Sequence, residues 1–290
     1  MSITVQEFGL LSYKTFNIGD YIQSLAASRF LPKVDYYIDR EALDDFTPSR
    51  SERVKLIMNG WYCHRPDRWP PSPSIEPLLV SFHVSGNPGE GSGLRARDWF
   101  PKSPGILDYP RQHGPVGARD LSTLELFHSW EVPAYFSGCL TLTIERSAVP
   151  RQEGLIVLCD APEEVAARVC LQFGPLVRRV KHRDATTDGI ESRLARARTL
   201  LELYASAACV VTTRLHCACP CLAMNTPVLL LDTAADKYRF SGLIDLLHHC
   251  SVEDFLSGAS GYDLARPPAN PDSHMALRRN LIDRASAFTA

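Results

Sequence analysis

The chain has no long apolar run: its longest fall far short of the ~20 residues a membrane-spanning helix needs, so no span is expected. It has no surplus of one charge either, with 31 Lys and Arg against 33 Asp and Glu and a net charge of −2. A non-specific nucleic-acid binder carries a basic excess to neutralise phosphates, so that class is disfavoured. The opening, MSITVQEFGLLSYKTF, lacks the basic segment followed by an apolar one that marks a secretory signal. The expectation is a cytoplasmic protein whose nine cysteines, an odd number, remain reduced thiols. Internal repeats and low-complexity tracts are absent.

What is present is a globular composition. Hydrophobic residues make up 45% of 290, enough to bury a core and to build two domains of ordinary size. Short apolar runs alternate with helical stretches. The strand candidates of the first half are Tyr36–Ile38, Val54–Met58, Leu78–Val84, Val116–Ala118 and Val132–Phe136. The helix candidates are 20–31, with Asp20 as N-cap, and 121–130, with Asp120 as N-cap. Residues 62–77 hold five prolines and predict irregular chain. Residues 85–105, rich in Gly, Pro and Ser, predict a loop long enough to serve as a lid.

A second series follows the polar stretch 141–154. Strands are expected at Leu155–Cys159, Val177–Val180, Cys209–Thr213 and Val228–Leu231, with helices at 163–173, 191–207 and 214–224 between them. Strands and helices taking turns imply βαβ units and parallel sheets. The expected fold is α/β, with two Rossmann-like domains facing a central cleft in the GT-B manner. The first covers residues 1–150 and the second 151–272. A C-terminal segment, 273–290, contains a helix at 274–287 that is expected to cross back onto the first domain.

The most informative stretch is CVVTTRLHCACPCLAMNTPVLL, residues 209–230. A buried strand ends abruptly at Arg214-Leu215-His216. Ligands of open α/β sheets bind at the carboxyl ends of strands. An arginine there grips a carboxylate or phosphate through two parallel hydrogen bonds, and a histidine beside it moves a proton near neutral pH. The pattern points to an anionic substrate, set against the blander reading of a structural arginine and a packed core histidine. The HCACPC run, residues 216–221, supplies metal-ligand residue types in the wrong spacing. Structural zinc sites use C-x₂₋₄-C pairs, and alternate residues of a helix point ~200° apart. No metal is expected.

Further candidates are weaker. Gly19-Asp20 opens a helix whose free N–H groups suit an anion or a sugar, or is a plain turn and cap. Asp236-Lys237-Tyr238-Arg239 follows a strand end, which puts Lys237 and Arg239 beside the expected cleft or on a solvated loop. His83 ends a strand and alone reads as readily as core.

Several stretches resemble the polysaccharide pyruvyl transferase family. They are Asn17-Ile18-Gly19-Asp20, Ser81-Phe82-His83, Pro115-Val116-Gly117-Ala118-Arg119-Asp120, Ala134 to Thr141 (AYFSGCLT) and Thr213 to Ala218 (TRLHCA). Each is short, and their order and spacing together carry the resemblance. It implies a GT-B-like fold and phosphoenolpyruvate as donor substrate, with no cofactor. It implies transfer of the carboxyvinyl carbon to two hydroxyls of one sugar, giving a cyclic pyruvate ketal. It further implies that Arg119, Arg214, Leu215 and His216 contact the donor and that His83 takes part in proton transfer. The acceptor is then a polysaccharide or a lipid-linked or nucleotide-linked precursor, with peripheral association at the inner membrane face in the lipid-linked case. Two other readings stay open: a GT-B glycosyltransferase using a nucleotide sugar, with Asp232 as its acidic candidate, and a non-catalytic glycan-binding protein.

Overall fold

The computed structural model describes residues 6–62, 68–86, 95–102, 105–184, 188–233 and 237–290. Parts of the two expected loops, 63–67 and 87–94 with 103–104, lie outside those residues, as do Asp236 and the side chain of Lys237. The chain is mixed α/β with parallel sheets and divides into two compact units. Unit 1 takes Met1–Lys14, Gln23–Leu140 and Arg279–Ala290, and unit 2 takes Thr15–Ile22 and Thr141–Arg278.

Unit 1 contains strands β1 (Glu7–Ser12), β2 (Tyr36–Asp39), β3 (Val54–Met58), β4 (Trp61–Tyr62), β5 (Ile75–Leu79), β6 (His83–Val84), β7 (Val116–Ala118) and β8 (Ala134–Phe136). The main sheet runs β2-β1-β3-β5, and β4 pairs with β6 and β7 with β8. Every pairing is parallel. An isolated parallel bridge joins Phe82 to Ala118. The central strand β1 is apolar at four consecutive positions, Phe8 to Leu11 counting its glycine, and all are buried, as a strand covered on both faces requires.

The strand expected at Leu78–Val84 is displaced. The ladder is Ile75–Leu79, with Pro77 opposite Leu56. β5 is an edge strand of its sheet, where a proline's missing N–H costs no ladder bond. Ser81 at φ 51° then breaks the extended chain before the two-residue β6. The helix expected at 20–31 is Ile18–Ser28. Its first turn is capped by Asn17, whose Oδ1 accepts the Gly19 N–H at 3.1 Å, so Asp20 lies inside the helix and is not its cap.

Unit 2 contains β9 (Ile156–Cys159), β10 (Val177–Val180), β11 (Cys209–Thr212), β12 (Val228–Asp232) and β13 (His248–Ser251). They form one parallel sheet in the order β10-β9-β11-β12-β13. Helices Glu163–Phe173, Ile190–Ser206 and Leu215–Ala223 connect the first four strands. Ile156, Leu158, Val211, Leu229 and Leu231 of the sheet pack with Val165, Ala166 and Val169 of the first helix and with Phe255. The strand order reverses between β9 and β11. At such a switch point neighbouring crossovers leave in opposite directions and open a crevice at the strands' carboxyl ends. Among the described residues no helix is long and apolar enough to cross a membrane.

Candidate functional site

The crevice of unit 2 collects the residues that follow each strand. Cys159 and Val180 end β9 and β10 in register, and Thr212 ends β11 opposite Cys159. Asp160, His182 and Arg214 therefore emerge from one edge of the sheet. Asp160 organises them. Its Oδ2 accepts the His182 backbone N–H at 3.1 Å and the Arg214 Nε at 2.7 Å. Its main-chain carbonyl accepts the Thr213 hydroxyl at 2.9 Å. It holds φ at 50°, in the left-handed region that Asp tolerates better than most side chains. The Arg214 side chain is 46% exposed. With Nε committed to Asp160, its two terminal nitrogens have no protein hydrogen-bond partner among the described residues.

The segment Thr15–Ile22 is tied to the same place. Asn17 bridges Arg183, the Ile18 N–H donates to the His182 carbonyl at 2.8 Å, and the Asp184 N–H donates to the Phe16 carbonyl at 2.7 Å. Arg193 Nη1 donates to the Thr15 carbonyl at 2.7 Å. The start of helix Ile18–Ser28 thereby meets two imidazoles. A Cβ on Gly19 would fall 3.0 Å from Asn17 Oδ1, 3.0 Å from His182 Nδ1 and 3.2 Å from His216 Nδ1. These are tighter than ordinary Cβ contacts, so a larger residue would require the three side chains to shift. His216 is buried, and its Nε2 has no hydrogen-bond partner among the described residues. That is an uncommon condition for a buried polar atom.

Asn17, Gly19, Arg214 and His216 thus belong to unit 2, with Asp20 buried one residue beyond Gly19. Leu215 is buried in the first turn of its helix. Lys237 and Arg239 sit on the short helix Lys237–Phe240 past β12, with Arg239 half-buried. His182 and Asp160 were not singled out by the sequence. Both follow strand ends, the signal that exposed Arg214, but a polar run (Lys181 to Asp184) masks the one and Cys159-Asp160-Ala161 offers no basic residue to mark the other.

His83 and Arg119 belong to unit 1 and meet around Asp120. His83 Nδ1 lies 2.6 Å from Asp120 Oδ2, and Arg119 Nε lies 3.4 Å from the same oxygen. Asp120 Oδ1 caps helix Leu121–Ser129 by accepting the Thr123 N–H at 2.9 Å. Thr123 Oγ1 in turn accepts the Val84 N–H at 3.1 Å. All three charged or titratable side chains are buried. Burial works to raise the Asp120 carboxyl. The His83 charge and hydrogen bond, with the Arg119 charge and a side-chain hydrogen bond from Thr123, outweigh it and hold the group below the ordinary carboxylate range. A carboxylate on one ring nitrogen fixes the tautomer and orientation of an imidazole, as a proton-transfer group requires.

One further cluster has metal-ligand chemistry. Cys159, His182 and Cys217 each offer one ligand atom, all within 4.8 Å of one another and all buried.

Parallel sheets with a cation and imidazoles at a switch point define an α/β protein equipped to handle an anionic ligand. Residues 107–234 match the family model for polysaccharide pyruvyl transferase. The match covers Arg119, Asp120, Asp160, His182 and Arg214 to His216, and leaves out His83 and the Asn17–Asp20 segment. No curated protein sequence matches the chain. Among solved structures, one similar chain is an uncharacterized protein of Klebsiella pneumoniae subsp. pneumoniae NTUH-K2044. It is 12% identical with a TM-score of 0.47, covering 82% of this chain and 88% of that one. Another is the wall teichoic acid polymerase TagF, 11% identical with a TM-score of 0.41, covering 99% of this chain and 84% of that one. Likenesses this distant carry no functional argument.

Proposed function

We propose that the protein is a pyruvyl transferase that moves the carboxyvinyl group of phosphoenolpyruvate onto two hydroxyls of one sugar in a polysaccharide or its precursor. The family match over residues 107–234 suggests pyruvyl transfer onto polysaccharide. The observation that carries the finer reading is Arg214. Its Nε is clamped by Asp160 at 2.7 Å, and its remaining nitrogens stand at a strand-end crevice next to the Gly19 helix start and two histidines. Phosphoenolpyruvate carries a carboxylate and a phosphate, for which a planar guanidinium fork is a suited receptor; the first N–H groups of the Gly19 helix are already taken by Asn17 and the His182 carbonyl.

The chemistry asks for an acid first. Protonation of the methylene carbon of the donor gives an oxocarbenium centre at the neighbouring carbon. One sugar hydroxyl adds there as a base takes its proton, phosphate leaves, and the second hydroxyl closes the ketal. Of the two hydroxyl protons, one balances the new methyl group and the other departs with phosphate. His216 and His83 are the residues assigned to acid and base, with the order open, and His83 takes its orientation from Asp120. Arg119, Leu215, Asn17, Gly19, Asp20, Lys237 and Arg239 complete the substrate-binding set. No redox cofactor enters this scheme. The reading keeps the GT-B-like architecture and a cytoplasmic setting, at the inner membrane face when the acceptor is lipid-linked.

The test is calorimetry of phosphoenolpyruvate against wild type and R214A. Wild type is expected to bind and R214A to lose at least about tenfold in affinity, the loss of a charged hydrogen-bonding pair. Absence of donor binding in wild type together with a signal for a nucleotide sugar would replace this reading with the glycosyltransferase one.

A further inference from the structure

The interior of unit 2 holds a set of side chains of which only His182 borders the proposed donor site. Cys159 ends β9, His182 follows β10, and Cys217 lies in the first turn of helix Leu215–Ala223. Their ligand atoms lie within 4.8 Å of one another. A fourth polar atom joins them. The Tyr204 hydroxyl is 2.9 Å from His182 Nε2 and 3.3 Å from Cys159 Sγ. The four residues are 0–1% exposed. We propose that Cys159, Cys217 and His182 supply three of the four positions of a buried tetrahedral zinc site, with the Tyr204 hydroxyl at the fourth.

Ligands at ~2.3 Å (sulfur) and ~2.0 Å (nitrogen) around a tetrahedral ion stand about 3.3–3.8 Å apart, which the 4.8 Å grouping admits with small rotamer adjustments. Two thiolates, one neutral imidazole and Zn²⁺ sum to zero charge, the total a fully buried pocket tolerates. Thiolate and imidazole together suit zinc and do not suit calcium or magnesium. Cys217 sits at the start of its helix, where partial positive charge favours a thiolate.

The HCACPC spacing does not bear on this set. Ligands within one run would have to share one helix face, whereas these come from two strand ends and one helix. Metal would join Cys159 to His182 and Cys217, whose neighbours or own atoms are Asp160, His182 Nδ1 and His216. The ion would therefore pin the three chain ends that carry the proposed donor site, whatever the identity of the donor.

The experiment is elemental analysis of wild type purified without chelator, with optical spectra of protein produced in cobalt-supplemented minimal medium. The expected result is about one zinc per chain, and for the cobalt protein an ultraviolet thiolate-to-cobalt band with intense visible bands. C159S and C217S should lose both. C170S, which removes a half-buried thiol outside the cluster, should keep both. Metal-free wild type together with cobalt-grown protein lacking the thiolate band would overturn the proposal. So would retention of full zinc in both C159S and C217S. The wild-type measurements decide the matter even if a serine variant fails to fold.

Discussion

Asp160 holds a backbone angle few side chains adopt, φ 50°, and uses it to bring one carboxylate oxygen to both His182 N–H and Arg214 Nε. Strain of this kind costs on the order of 1 kcal/mol and persists where surroundings impose it. Glycine at this position removes the strain and also the two hydrogen bonds. D160G should therefore change stability by no more than about 1 kcal/mol as read by urea unfolding. Its affinity for phosphoenolpyruvate should fall about tenfold, or ~1.4 kcal/mol, because Arg214 loses its orientation. Unchanged donor affinity would show that Asp160 only shapes the turn. Gly19 makes the converse case. Alanine is the better helix former by ~1 kcal/mol, so G19A at an open position would stabilise. Here its Cβ would sit 3.0 Å from Asn17 Oδ1 and His182 Nδ1, so a loss of about 1–3 kcal/mol is expected. A raised melting temperature would contradict this close approach.

At the scale of the element, the start of helix Leu121–Ser129 combines a cap and a histidine orienter in one side chain, Asp120. Its folded-state value is depressed, so its contribution is present above the unfolded value of ~3.9 and lost as pH falls through the folded one. D120N keeps an oxygen for the Thr123 N–H but gives up the charge facing His83 and Arg119. It should be about 1–3 kcal/mol less stable at neutral pH. The gap to wild type should close as pH drops below ~4; chemical unfolding across pH measures it, and a constant gap would remove the charge argument. This cap was legible in the sequence, since Asp120 directly precedes an apolar-periodic run. Four of the five parallel strands of unit 2 were legible because they are short runs bounded or filled by apolar residues and separated by helices of ordinary length; β13 (His248–Ser251) was not, because its His-His-Cys-Ser sequence carries no apolar strand signal. The Ile75–Leu79 ladder was not, because Pro77 argues against a strand until its edge position is known. His182 was hidden by the charged stretch around it, and its convergence with Gly19 and His216 depends on the Thr15–Ile22 segment packing far along the chain from its neighbours in sequence.

At the scale of the whole molecule, membership of a unit does not follow chain order. Residues Arg279–Ala290 count with unit 1, although more than a hundred residues of unit 2 precede them. The helix Met275–Thr289 supplies the means. Leu281 and Ala285 are fully buried, the Arg284 guanidinium lies 4.0 Å from the centre of the Tyr135 ring, and Lys55 Nζ lies 5.5 Å from that of Phe288. Lys55 belongs to β3 and Tyr135 to β8, so the last turns of the chain cover unit 1 strands distant in sequence. The surface contacts are worth little each, and the buried leucine carries most of the effect. L281A should cost unit 1 about 2–5 kcal/mol through lost burial and the cavity left behind. Hydrogen exchange followed by mass spectrometry reads this locally: amides of β1, β3 and β8 should exchange faster in L281A, and deletion of 279–290 should exceed that effect. If those strands kept wild-type protection in both variants, the terminal helix would be an appendage, and unit 1 would have to be held together by Gln23–Leu140 and its first strand alone.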